Sequence, residues 1–190
     1  MGCTKRFGLL VIAAVIVVSG CVNRREEPMR YPAEITGVGA SSNFPLRTDE
    51  CRRGAMVTYR PGMVDTSIAY DCYGPSVQAA ITLYFYPLDF VFEQQYAVEK
   101  NEIMLVHPGA KLIEERHMML TKNGVAHDAQ VASFVFEGSF AGEKQALISQ
   151  LVLVRLSNHY FKVRSSAPLA QASAAEANLL QLLESVNWTF

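Results

Sequence analysis

The sequence predicts an α+β domain, a single antiparallel sheet of about six or seven strands with two helices packed on one face. Three observations lead there. Two turn dipeptides, Pro61-Gly62 and Asn123-Gly124, each sit between runs of strand-forming residues. The run "KQALISQLVLVRL", residues 144–156, is almost continuously apolar, as a central covered strand requires. Two stretches, Leu88 to Val106 and the residues after Pro168, carry apolar side chains at helical spacing.

The first hairpin can be read from its cysteines. Folding "CRRGAMVTYRPGMVDTSIAYDC" about Pro61-Gly62 pairs Tyr59 with Val64, Val57 with Thr66, Ala55 with Ile68 and Arg53 with Tyr70. One face then collects Tyr59, Val57, Ala55, Val64, Ile68 and Tyr70, and a one-residue slip would mix it with the polar face. The same register sets Cys51 opposite Cys72, at a Cα separation of about 4.5–5.5 Å that a disulfide can span. A Cys51–Cys72 disulfide is therefore expected, contributing roughly 3 kcal/mol for a loop of that size.

Tyr73-Gly74-Pro75-Ser76 turns the chain into a third strand, "VQAAITLYFYP", which Pro87 ends. Phe92, Tyr96, Ile103 and Val106 mark the first helix, and His107-Pro108-Gly109 stops it. "AKLIEERHMML" and "VAHDAQVASFVFEGSF" flank Asn123-Gly124 as the next hairpin. Phe140-Ala141-Gly142-Glu143 leads into the apolar run, and Ser157-Asn158 into "HYFKVRSS". Ala175, Leu179, Leu182 and Val186 then repeat at 4, 3 and 4 as the stripe of the second helix.

Before all this stands Lys5-Arg6, an apolar stretch from Phe7 to Val18, and then Ser19-Gly20-Cys21. Twelve helical residues cover about 18 Å, short of the roughly 30 Å bilayer core, so the pattern is an export signal and not a span. Val18-Ser19-Gly20-Cys21 resembles the lipobox of bacterial lipoproteins. That resemblance implies cleavage after Gly20, lipid on Cys21, and a membrane as a partner through that lipid. Val22 stands where an aspartate would resemble an inner-membrane retention signal, which leans to the periplasmic face of the outer membrane. Residues 1–20 are then the signal peptide, 21–46 a tether rich in proline, glycine and charge, and 47–190 the domain. A short strand around Glu34 to Val38 is the alternative within the tether.

Removing Lys5 and Arg6 with the signal leaves 15 basic and 18 acidic residues, net −3. No basic stripe points to nucleic acid.

The element order, three strands, a helix, four strands and a helix, resembles the PsbP-like fold, named for an extrinsic subunit of photosystem II. It also resembles uncharacterised exported proteobacterial proteins, in which a "LYFYP"-like strand precedes the first helix and an "HYFKVRSSAP"-like strand the last. The resemblance implies a binding or assembly factor and supplies no catalytic residues.

The sequence offers little chemistry of its own. His107, His117, His127 and His159 belong to no metal-ligand spacing, Gly138-Ser139 is no nucleophile elbow, and no cofactor motif is present. A four-residue loop at Thr121–Gly124 would set His117 opposite Asp128, and His127 opposite Met118 on the other face. A His–Asp pair can orient a general base, but the reading preferred here is a solvated cross-strand ion pair. Tyr84, Tyr86 and Tyr160 alternate with apolar residues, and Lys162 and Arg164 share their face. That set is the candidate binding surface, on a sheet face expected to be open, and its cations suit an anionic ligand. The function expected is a lipid-anchored, non-catalytic periplasmic binding or assembly module, whose partner is an envelope protein or a small ligand. The alternatives are a structural envelope lipoprotein and, third, a periplasmic hydrolase.

Overall fold

The computed structural model describes residues 43–48, 50–59, 65–75 and 77–189. The expected signal peptide, Cys21, the alternative strand at 34–38 and the expected Pro61-Gly62 turn lie outside the described residues. Seven strands form one antiparallel sheet: β1 (Cys51–Thr58), β2 (Thr66–Tyr73), β3 (Gln78–Pro87), β4 (Lys111–Lys122), β5 (Val125–Phe140), β6 (Glu143–Arg155) and β7 (His159–Pro168). Helix α1 (Phe92–Val106) follows β3, and α2 (Ala172–Ser185) follows β7. The order across the sheet is β1-β2-β3-β7-β6-β5-β4. The chain leaves β3 through α1, crosses to the far edge at β4, and returns by three hairpins until β7 pairs with β3.

Turn chemistry fixes two of those hairpins. Asn123 (φ 51°) and Gly124 (φ 77°) both adopt left-handed backbone, as a two-residue primed turn demands. The loop is thus two residues and not four, and this moves the register by two. Met119 faces Asp128 and His117 faces Gln130. Ala141 (φ 52°) and Gly142 (φ 87°) repeat the device between β5 and β6.

The first hairpin carries the expected disulfide, Cys51–Cys72, with Cα atoms 3.9 Å apart. Its expected register holds at Cys51–Cys72 and Arg53–Tyr70, then shifts at a bulge between Arg53 and Met56. Met56, not Ala55, faces Ile68, and Val57 faces Ser67. One extra residue flips all that follows, so Val57 and Tyr59 turn to the opposite face and stand exposed.

The helices do not share a face, which corrects the expected layering. Even-numbered Tyr86 and Tyr160 pack with Phe92, Tyr96 and Ile103 of α1. Odd-numbered Leu83, Phe85, Phe161 and Val163 pack with Leu179 and Leu182 of α2. The reason lies in β6, which is apolar at both parities: Leu151 and Leu153 lie under α1, and Val152 and Val154 lie in the core on the α2 side, so both faces of the sheet need cover there. The α2 side holds the larger core. Trp188 folds back from the end of α2 and stacks on Phe161 at 5.2 Å. Phe44, from the stretch read as tether, is fully buried there and meets Phe85 at 5.5 Å.

The expected start of α1 at Leu88 moves to Phe92. Val91 is extended and supplies no side-chain cap, so Leu88 to Val91 cross the end of the sheet as loop.

Candidate functional site

On the α1 side, three rows of side chains cross the sheet in register. The first runs Val57, Ser67, Tyr84, Lys162, Leu153. The second runs Ala69, Thr82, Arg164, Leu151. The third runs Asp71, Ala80, Ser166, Ser149. Helix α1 covers Leu151, Leu153, Ala132 and Phe134, that is, β5 and β6, and reaches β7. It leaves the β1–β3 half bare: Val57 is 43% and Tyr59 57% exposed, and Tyr84 is half-buried. Tyr59 lies across this shelf, its hydroxyl 3.0 Å from Ser67 Oγ.

The expected open aromatic face is therefore half roofed, and its five residues separate into three groups. Tyr86 and Tyr160 are under the roof. The Tyr160 hydroxyl donates to the Phe90 carbonyl at 2.8 Å, and the Tyr86 hydroxyl to Glu99 at 2.7 Å. Burial above all, then the Glu99 carboxylate beside it, pushes the Tyr86 phenol far above its ordinary pKa. Tyr86 therefore acts as a fixed donor.

Lys162 is the pin between roof and sheet. It is 8% exposed, its Nζ 2.6 Å from Glu99 and 3.5 Å from Glu102, and it sits 4.4 Å from the Tyr84 ring centre. Glu99 also accepts from Gln95 Nε2 at 2.7 Å. Burial pushes the Glu99 carboxyl up, but Lys162, Tyr86 and Gln95 together outweigh it and hold the group below its usual range. The charges here satisfy each other. Sequence alone does not single out Glu99, because its partner lies 63 residues away.

Tyr84 and Arg164 remain, at the border between roof and shelf. Arg164 has no carboxylate within 4.0 Å among the described residues, and its buried Nε has no hydrogen-bond partner. Its Nη2 reaches Ser149 Oγ at a long 3.4 Å, and Ser149 and Ser166 hydroxyls lie 3.3 Å apart. Burial lowers the guanidinium pKa from its ordinary value, yet arginine stays charged. His107, at the end of α1, stacks on Phe136 at 4.0 Å. Burial first, and repulsion from Arg164 second, lower its pKa.

His117 and Asp128 do meet, Nε2 to Oδ1, but diagonally across β4 and β5. Their side chains are 56% and 49% exposed, so this is a surface pair. The cavity between α2 and the sheet is lined by Arg116, Met118 and Leu120, from the other face of β4. His117 does not line it. His127 packs edge-on against Trp188 at 5.1 Å. Among the described residues no group of histidine, cysteine and carboxylate side chains could hold a metal ion, and no helix is long and apolar enough to cross a membrane.

No protein-family model matches the chain, and no curated protein sequence does. A crystal structure of a protein of unknown function from Pseudomonas aeruginosa is similar to it. The two are 14% identical with a TM-score of 0.47, over 72% of this chain and 97% of the other.

Proposed function

We propose that this chain is a lipid-anchored, non-catalytic binding module of the bacterial envelope. Cys21 carries the lipid, residues 21–42 give reach, and the domain works on the periplasmic face of the outer membrane. Recognition takes place on the half of the sheet face that α1 leaves bare. One observation carries that reading: exposed Val57 and Tyr59 and half-buried Tyr84 form an apolar and aromatic shelf beside an arginine that has no acidic partner among the described residues. The Cys51–Cys72 disulfide agrees with an oxidising compartment. The fold assignment that goes with this reading is PsbP-like, supported by the order of three strands, helix, four strands and helix.

A second reading, a structural lipoprotein stabilising a larger complex, is favoured by one other surface. The outward side of α1 exposes Val98 at 48%, Leu105 at 82% and Val106 at 61%. Photo-crosslinking in intact cells separates the two. A crosslinker at Tyr59 captures the partner under the first reading, and one at Leu105 under the second. Capture at Leu105 alone would overturn the shelf. Fractionation tests the anchor, since Cys21→Ser releases the protein from membranes if Cys21 is lipidated.

A further inference from the structure

We propose that the under-bonded guanidinium of Arg164 binds a single carboxylate group. This names the ligand chemistry of the binding module proposed above, and it rests on that reading. Position comes first. Arg164 stands in the middle of a sheet face, between Thr82 of β3 and Leu151 of β6, and the side chains towards Ala80, Ser166 and Ser149 are short. Long side chains flank them, Tyr84 on one side and the end of α1 with His107 on the other.

Hydrogen-bonding capacity comes second. A guanidinium has five N–H donors, and a buried one without acceptors is costly. Here Nε has no partner and Nη2 has one long contact to Ser149. The Ser149 and Ser166 hydroxyls rotate freely enough to donate to the same point, so donors converge from two strands.

Charge decides the class. Two cations, Lys162 and Arg164, face two carboxylates, Glu99 and Glu102, but both carboxylates turn to Lys162. The four charges balance in sum, but Arg164 is left without a carboxylate in direct contact among the described residues and feels both glutamates only at longer range. Half-exposed Glu102 repels a second negative charge nearby, so a monoanion fits and a phosphate dianion does not. A planar carboxylate also matches the fork of an arginine.

The test uses the purified full chain in detergent micelles with ¹⁵N-labelled arginine. The Nε–H resonance of Arg164, assigned by its loss in Arg164→Lys, is followed while sodium acetate replaces sodium chloride at constant ionic strength. A saturable downfield shift confined to that resonance is expected, half complete on the order of 1–10 mM as suits one ion pair. Ser149→Ala should weaken it several-fold. Equal movement in chloride, or no movement in protein whose near-ultraviolet dichroism is native, overturns the proposal.

A tripeptide with a free C-terminus then identifies the source. Binding at least tenfold tighter than acetate, lost on amidation, assigns the site to a peptide carboxylate. Equal binding assigns it to small organic acids. Crosslinking at Tyr59 and release by Cys21→Ser do not depend on Arg164. Their success beside a silent arginine resonance would sink this inference alone.

Discussion

The two faces of the sheet hold their helices by different physics. Under α2 the contact is almost wholly apolar, built from Phe85, Phe161, Val163, Leu179, Leu182 and Trp188, with the disulfide and Phe44 at its margin. Under α1 a smaller apolar cluster is joined by Lys162, Glu99, Gln95 and Tyr86, each satisfying another. Apolar burial is non-directional, so the α2 side can adjust while staying closed. An ionic pin works in one geometry only, and it sets where the roof ends and therefore how much of the sheet stays bare. Stability sits on one face, and the candidate site lies on the other.

Single substitutions should expose that difference most strongly. Trp188→Ala removes a fully buried ring and is expected to cost about 3–5 kcal/mol in global unfolding. Lys162→Met leaves Glu99 buried without its cation, at a similar cost of about 3–5 kcal/mol. The double change of Lys162→Met with Glu99→Leu should recover most of that loss, because a well-packed apolar pair replaces a buried ion pair at little net cost. Urea unfolding of the three variants decides it. If the double variant is no better than Lys162→Met alone, the ionic pin is not what holds α1.

The disulfide belongs to the α2 side. Replacing Cys51 and Cys72 together with alanine should lower stability by about 3 kcal/mol, given their separation of 21 residues. Hydrogen exchange should show the loss in β1 and β2, while the Lys162 pin and α1 keep their protection. Equal loss of protection in α1 would mean that the faces unfold as one unit.

Much of this was legible in the sequence, and the gaps have physical causes. Asn123-Gly124 fixed a hairpin because few dipeptides accept two positive φ angles, and the cysteines fixed the start of the first register. The bulge after Arg53 was not legible, since Ala55, Met56 and Val57 read as strand in either register. Nor was the side each helix takes, because the alternation in "LYFYP" and "HYFKV" defines two faces without saying which helix covers which. The candidate site was half legible. Tyr84, Lys162 and Arg164 were correctly placed on one face. The isolation of Arg164 depends on both glutamates choosing Lys162, a choice made only when α1 docks.

Acid should separate the faces again. Burial lowers the pKa of His159, which is 1% exposed on the α2 side, and it lowers that of His107 on the α1 side. The unfolded chain takes up these protons first, near a pH of about 6.5, so stability is complete above that value and falls as pH drops below it. Glu99 behaves differently. Its folded pKa is depressed, so its contribution persists until the pH falls below the carboxylate range. Between pH 7 and 5 the loss should be at most about 1.4 kcal/mol per pH unit for each histidine. His159→Phe should flatten its share of that slope, as thermal melts across the range would show. An unchanged slope in His159→Phe would move the acid sensitivity to the α1 side.

The smallest effect should come from the ion pair that ties β4 to α2. Arg116 contacts Glu176 across the mouth of the cavity lined by Met118, Leu120, Leu179 and Leu183, and Glu114 lies 3.6 Å from the same guanidinium. The contact looks like a second pin, the α2 counterpart of Lys162–Glu99. Its side chains are 39% and 36% exposed, however, against 10% and 6% for the buried pair. Water then solvates either partner when the other is removed, so no uncompensated charge is left behind. Glu176→Gln should cost less than about 1 kcal/mol, and raising salt should erase even that. A loss as large as that of Lys162→Met would show that α2 also depends on a charge and would remove the contrast between the faces. A loss within a few tenths of a kcal/mol places the hold on α2 in its apolar stripe.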